Sequence, residues 1–146
     1  MKNLSHLLLP LIGLFLCSCG TFERQWKQSV SDYQDGKVAA PAGPWVGSWS
    51  TKTNGHTGDL RAIVTPDDSG NYKFHYHATW GKFFSGAYQV KFPVTGSGGR
   101  YRADGEKSLG VFGTFGHKAT ITRNSFQATY SNKKGDLGDF SMKRPE

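Results

Sequence analysis

Two histidines one residue apart, His75 and His77, are the first feature of the chain with the spacing for chemistry. On a β-strand that interval puts both imidazoles on one face, about 6.5–7 Å apart, which a metal ion can use. The same face carries Lys73 and Thr79, opposite a stripe of Tyr72, Phe74, Tyr76, Ala78 and Trp80. The apolar stripe claims the interior, so the histidine face is expected to be solvated and to hold no metal. Neither His56 nor His117 has the spacing of a third ligand.

His56 sits in a tight turn, between Asn54-Gly55 and Gly58 and close to Asp59 and Arg61. That constellation is the one place where a small acid–base centre can be read, and it is kept as a minor alternative beside a histidine satisfied by its own turn. Asp104-x-Glu106 shares a strand face with Arg100 and Arg102, which reads as an outward ion-pair ladder. Gly-x-Ser-x-Gly, His-Glu-x-x-His and a phosphate-cradling glycine loop before a helix are absent. The series Gly110-Val-Phe-Gly-Thr-Phe-Gly116 lies in strand context, where glycine permits bends and ring packing. The expectation is a non-enzyme without a cofactor.

Trp80-Gly-Lys-Phe-Phe84 packs three large rings around two turn residues. Rings in such a place either finish the strand stripes or form the lip of a ligand mouth. Trp49, Trp80, Phe83, Phe84 and Tyr88 are the expected ligand contacts, with His56 and Arg61 as polar neighbours.

These residues must be carried by strands. The chain has 146 residues, 19 of them Gly, with 4 Trp, 6 Tyr and 10 Phe, a composition of tight turns and a ring-filled core. Alternating runs recur at intervals of roughly 10–14 residues from Trp45 onward. They fall near 46–53, 59–65, 72–80, 84–95, 100–107, 110–115 continuing through 118–123, 126–131 and 137–143. About eight antiparallel strands with hairpin connections predict an all-β fold, a small up-and-down barrel, because closure removes unpaired edges. A two-sheet β-sandwich is the alternative. Sixteen aromatics lie between residues 45 and 146, enough to fill so short a barrel.

Upstream, residues 1–18 read as a leader: Lys2, then a ten-residue apolar run from Leu7 to Leu16, too short for a spanning helix of about 20 residues. Leu16-Cys17-Ser18-Cys19 resembles the bacterial lipobox, with Leu at −3 and a small residue at −1. That resemblance implies cleavage before Cys19 and acylation of its thiol, and Gly20 implies delivery to the outer membrane, facing the periplasm or the exterior. Residues 19–44 are then a tether: either largely disordered, or a short helix with Phe22, Trp26, Val30 and Tyr33 on one face and a stop at Asp35-Gly36, lying on the headgroups or capping the domain. Residues 45–146 form the domain.

Gly47-Ser48-Trp49 on the first strand resembles the Gly-x-Trp of the calycin (lipocalin- and avidin-like) barrels. The resemblance implies a Trp49 that closes one end beneath a basic side chain near the last strand, here Arg144. The segment from Asn54 to Arg61 also resembles one found in small bacterial lipoprotein domains, which implies no activity.

A net charge of +7 is spread over nearly every strand, which suits anionic envelope components and lacks the clustering that nucleic acid requires. The expected function is binding of a small apolar or amphipathic molecule, or of an envelope component, by a membrane-anchored barrel. The alternatives are a protein-interaction module (an envelope assembly factor or inhibitor) with a filled barrel, and an enzyme centred on His56, Asp59 and Arg61.

Overall fold

The computed structural model describes residues 9–67, 69–108, 110 and 113–146, with side chains from Gly20 onward. The start of the apolar leader, residues 1–8, lies outside the described residues, as does part of the glycine series, at 111–112. One helix, α1 (Leu9–Gln34), precedes eight strands: β1 (Gly43–Thr51), β2 (Thr57–Pro66), β3 (Asn71–Trp80), β4 (Phe84–Ser97), β5 (Arg100–Ser108), β6 (Thr114–Thr122), β7 (Ser125–Asn132) and β8 (Leu137–Lys143). No described helix is long and apolar enough to cross a membrane.

Each strand pairs antiparallel with the next, and β1 pairs with both β2 and β8, so the sheet is a closed barrel. The closure excludes the sandwich. It also makes one end, with the 52–56, 81–83 and 133–136 turns, a mouth; the other, with the 67–70, 98–99 and 123–124 turns, is a floor. β6 begins at Thr114 rather than Gly110, because Gly110 and Gly113 have positive φ (59° and 88°) and break the extended run.

Alternation decides which side chains enter. Phe74 and Tyr76 of β3, Val90 and Phe92 of β4, Ala119 and Ile121 of β6, Phe126 and Ala128 of β7 and Phe140 and Met142 of β8 meet inside. Toward the floor the interior is packed solid by Trp45, Val64, Phe74, Ile121 and Phe126, all fully buried. Trp45 meets Phe126 edge-on at 5.7 Å, and Phe126 meets Phe74 in the same way at 6.2 Å. The barrel is full at its floor and hollow toward its mouth.

The floor is sealed by Arg144. Register places Val46 opposite Lys143, so the next residue on the last strand lies over Trp45. The guanidinium carbon stands 3.7 Å from that ring and 4.7 Å from the Tyr33 ring. It donates to the carbonyls of Pro44 (3.0 Å) and Ala42 (2.8 Å). The basic side chain expected over Trp49 therefore covers Trp45, because the strand register puts Trp49 opposite Phe140, four residues nearer the mouth.

The helix does not hang free. Its stop is a left-handed glycine, Gly36 (φ 70°), with bonds from Gly36 N–H to Tyr33 C=O and from Lys37 N–H to Asp32 C=O. Phe22 is fully buried against the outer wall of β3. It stacks on His77 and meets His75 edge-on, each at 4.9 Å, while Gln25 Oε1 lies 3.0 Å from His75 Nδ1. His75 and His77 are thus only 8% exposed, not solvated as their strand face suggested, because α1 supplies a second apolar cover. Burial pushes both imidazoles below their ordinary pKa, with Lys73 (for His75) and Arg61 (for His77) adding repulsion.

Candidate functional site

The mouth half of the barrel encloses a cavity of about 200 Å³. Its wall takes Trp49 from β1, Tyr76 and Ala78 from β3, Tyr88 from β4, His117 from β6 and Phe140 from β8, with Lys107 near the rim. The strands aim these side chains inward by simple alternation from the packed floor: Trp45 to Trp49, Phe74 to Tyr76 to Ala78, Ile121 to His117.

Trp49 is held by its indole N–H, which donates to the Thr79 carbonyl at 2.8 Å. That bond leaves the ring face toward the cavity without a buried unpaired donor. Tyr76 is fully buried, and its hydroxyl lies 3.1 Å from His117 Nε2. His117 stacks flat on Phe92 at 4.9 Å. The ring of Phe92 fits there because Gly105 has no side chain; a Cβ on Gly105 would collide with it. Burial among these rings pushes the His117 pKa down to about 4, against a smaller opposing pull from Asp104. The imidazole is therefore neutral at physiological pH, and burial likewise raises the Tyr76 and Tyr88 hydroxyls. The wall is neutral and ring-faced, suited to holding an apolar group and poorly suited to proton transfer at neutral pH.

Of the residues singled out by sequence, Trp49 and Tyr88 line the cavity. Trp80, Phe83 and Phe84 do not; they stand on the rim, 43%, 91% and 62% exposed, with Trp80 stacked parallel to Phe84 at 6.2 Å. His56 is exposed in its turn, its backbone N–H bonded to Asn54 Oδ1 at 3.1 Å. Arg61 is turned away from both His56 and the cavity. On the outer wall of β2 it pairs with Glu23 of α1 and lies over the Phe22 and Trp26 rings at 5.1 and 5.2 Å. The guanidinium in turn holds the Glu23 carboxyl below its ordinary pKa. The constellation of His56, Asp59 and Arg61 is therefore split between an open turn and a helix clamp. Asp104 and Glu106 stand exposed on the outer face of β5. Among the described residues, no group of three or more His, Cys, Asp or Glu side chains is arranged to hold a metal ion.

Most of the lining was missed by sequence, including Tyr76, Phe92, Phe140 and the one histidine, His117. The signal was present: Phe115, His117, Ala119 and Ile121 form one face of β6, and that face is inward. Comparison with protein-family models, with curated proteins and with solved structures found no match.

Proposed function

We propose that this chain is a lipid-anchored binding protein of the bacterial envelope. Its mouth cavity takes the apolar part of a small amphipathic molecule: one ring system or a short alkyl tail. The observation that carries this reading is the cavity itself, about 200 Å³ walled by Trp49, Tyr76, Tyr88, His117 and Phe140. A void of about 150 Å³ with such a lining holds a benzene ring, whereas drug-sized ligands need about 300 Å³ or more. The size therefore favours a group of six to ten carbons, with its polar end left at the rim near Lys107. Apolar transfer at about 25 cal/mol per Å² is the driving force.

The anchor follows from the similarity of Leu16-Cys17-Ser18-Cys19 to the lipobox. An acylated Cys19 would keep the barrel at a membrane surface; one chain binds only marginally, and several hold firmly. A binding role is supported by a ring-faced wall whose buried imidazole is neutral, its Nε2 bonded to Tyr76 and its Nδ1 left to pair with a bound molecule.

Thermal denaturation with increasing octanoate tests the reading. A ligand that binds only the folded state raises the midpoint progressively with concentration. An unchanged midpoint up to millimolar octanoate, for both this ligand and 2-naphthol, would refute it.

A further inference from the structure

We propose that the mouth of the barrel docks on the interfacial layer of a bilayer rich in anionic headgroups. Three observations at the same end of the barrel meet in this surface. First, Trp80, Phe83 and Phe84 project from the β3–β4 turn, and Leu137, 41% exposed, stands at the start of β8 on the same rim. An indole beside two apolar rings at a tip suits the boundary between headgroups and acyl chains, and an exposed Phe is otherwise costly to keep in water.

Second, the rim carries more cations than carboxylates. Lys52, Lys82, Lys133 and Lys134 occupy the mouth turns with Asp136 among them, and Lys107 lies one residue before the end of β5; Lys52 pairs with Asp139 at 3.3 Å, and Glu106 lines one groove with Lys133 and Lys134. Lys82 lies within the aromatic tip itself, so insertion of Phe83 and Phe84 brings its ammonium to headgroup level. Each such cation near an anionic leaflet strengthens binding by roughly fivefold.

Third, α1 has a direction. Phe22 sits on His75 and His77, whereas Tyr33, about 16 Å further along the helix, reaches Arg144 at the floor. The chain before Phe22 therefore rises toward the mouth, and Cys19 precedes Phe22 by less than one turn. An acyl anchor there leaves the molecule on the aromatic side. This third argument rests on the anchor reading; the first two do not. Docked in this way, the cavity opens onto the lipid surface, where an amphipathic molecule would be drawn from the leaflet.

The test uses the full chain on phosphatidylcholine vesicles, with and without phosphatidylglycerol, carrying lipid brominated in the acyl chain. Bromine quenches nearby indoles, and Trp80→Phe identifies the Trp80 component. Quenching of Trp80 that depends on phosphatidylglycerol, weakened at least roughly twenty-five-fold in vesicle affinity by Lys82→Glu with Phe83→Ala, is the expected result. Sedimentation with vesicles while Trp80 stays unquenched would overturn the proposal, as would equal quenching without phosphatidylglycerol. A Trp80 shielded from iodide but not reached by bromolipid would mean a protein or polymer covers the rim, and would overturn it too. Mass spectrometry of Cys19 reads acylation separately, so an unacylated protein with quenched Trp80 refutes the anchor and supports the docking surface.

Discussion

Arg144 lies over the Trp45 ring at 3.7 Å and under the Tyr33 ring at 4.7 Å, joining the last strand to the first and to the helix. Its fork also donates to the Pro44 and Ala42 carbonyls, the first of them buried at the barrel end. Removing it takes a donor from each and uncovers Trp45. Arg144→Ala is expected to cost about 3 kcal/mol of folding stability in urea denaturation. Arg144→Lys should recover less than half, since an ammonium cannot make the planar forked contacts.

His117 ties stability to pH. Its pKa is about 4 in the folded barrel and near the ordinary 6.5 when unfolded, so the unfolded state binds the proton more readily. The stabilisation is complete above pH 6.5, shrinks as pH falls toward 4, and is gone below it. The loss is about 3 kcal/mol across that window. His75 and His77, also lowered, add in the same direction. Denaturation midpoints measured from pH 7.5 to 4 should fall steeply for the wild type and more gently for His117→Gln.

Phe22 is the wedge that holds α1 to the barrel. Phe22→Ala is expected to cost about 3 kcal/mol. It should also free the two imidazoles beneath, so that their pKa values, followed by NMR, rise toward the ordinary histidine value. Glu23→Gln should cost far less, because the Glu23 side chain is half exposed and an amide oxygen can still accept from Arg61.

Gly47 has no room for a side chain: a Cβ there would collide with the Ser141 carbonyl of β8. Gly47→Ala must push β1 away from β8 at the point where the barrel closes. A loss of about 2 kcal/mol or more in stability is expected, with weakened protection of the β1 and β8 amides in hydrogen exchange.

The eight strands were legible because each obeys a period of two between clear turn residues, best seen from Tyr72 to Trp80. Closure followed from their number and hairpin order. Alternation separates two faces of a strand but does not say what covers the outer one, so the helix over His75 and His77 was not readable. The amphipathic spacing of Phe22, Trp26 and Tyr33 showed that α1 has an apolar face, though not its landing place. The partner of Arg144 was misassigned for a related reason. Trp45 and Trp49 both point inward, and only the pairing of Val46 with Lys143 selects between them. The cavity depends on which rings fill the floor, a matter of packed volume that no local pattern encodes.

The ligand proposed for the mouth cavity is one small apolar group. Ala78 lines the cavity from β3, so Ala78→Phe fills the space from the wall. Titration with 2-naphthol, followed through Trp49 fluorescence, should show one saturable site in the wild type and at least a tenfold weaker one in Ala78→Phe, provided the variant's thermal midpoint is preserved. Equal binding by a folded Ala78→Phe protein would place the ligand elsewhere and contradict the account.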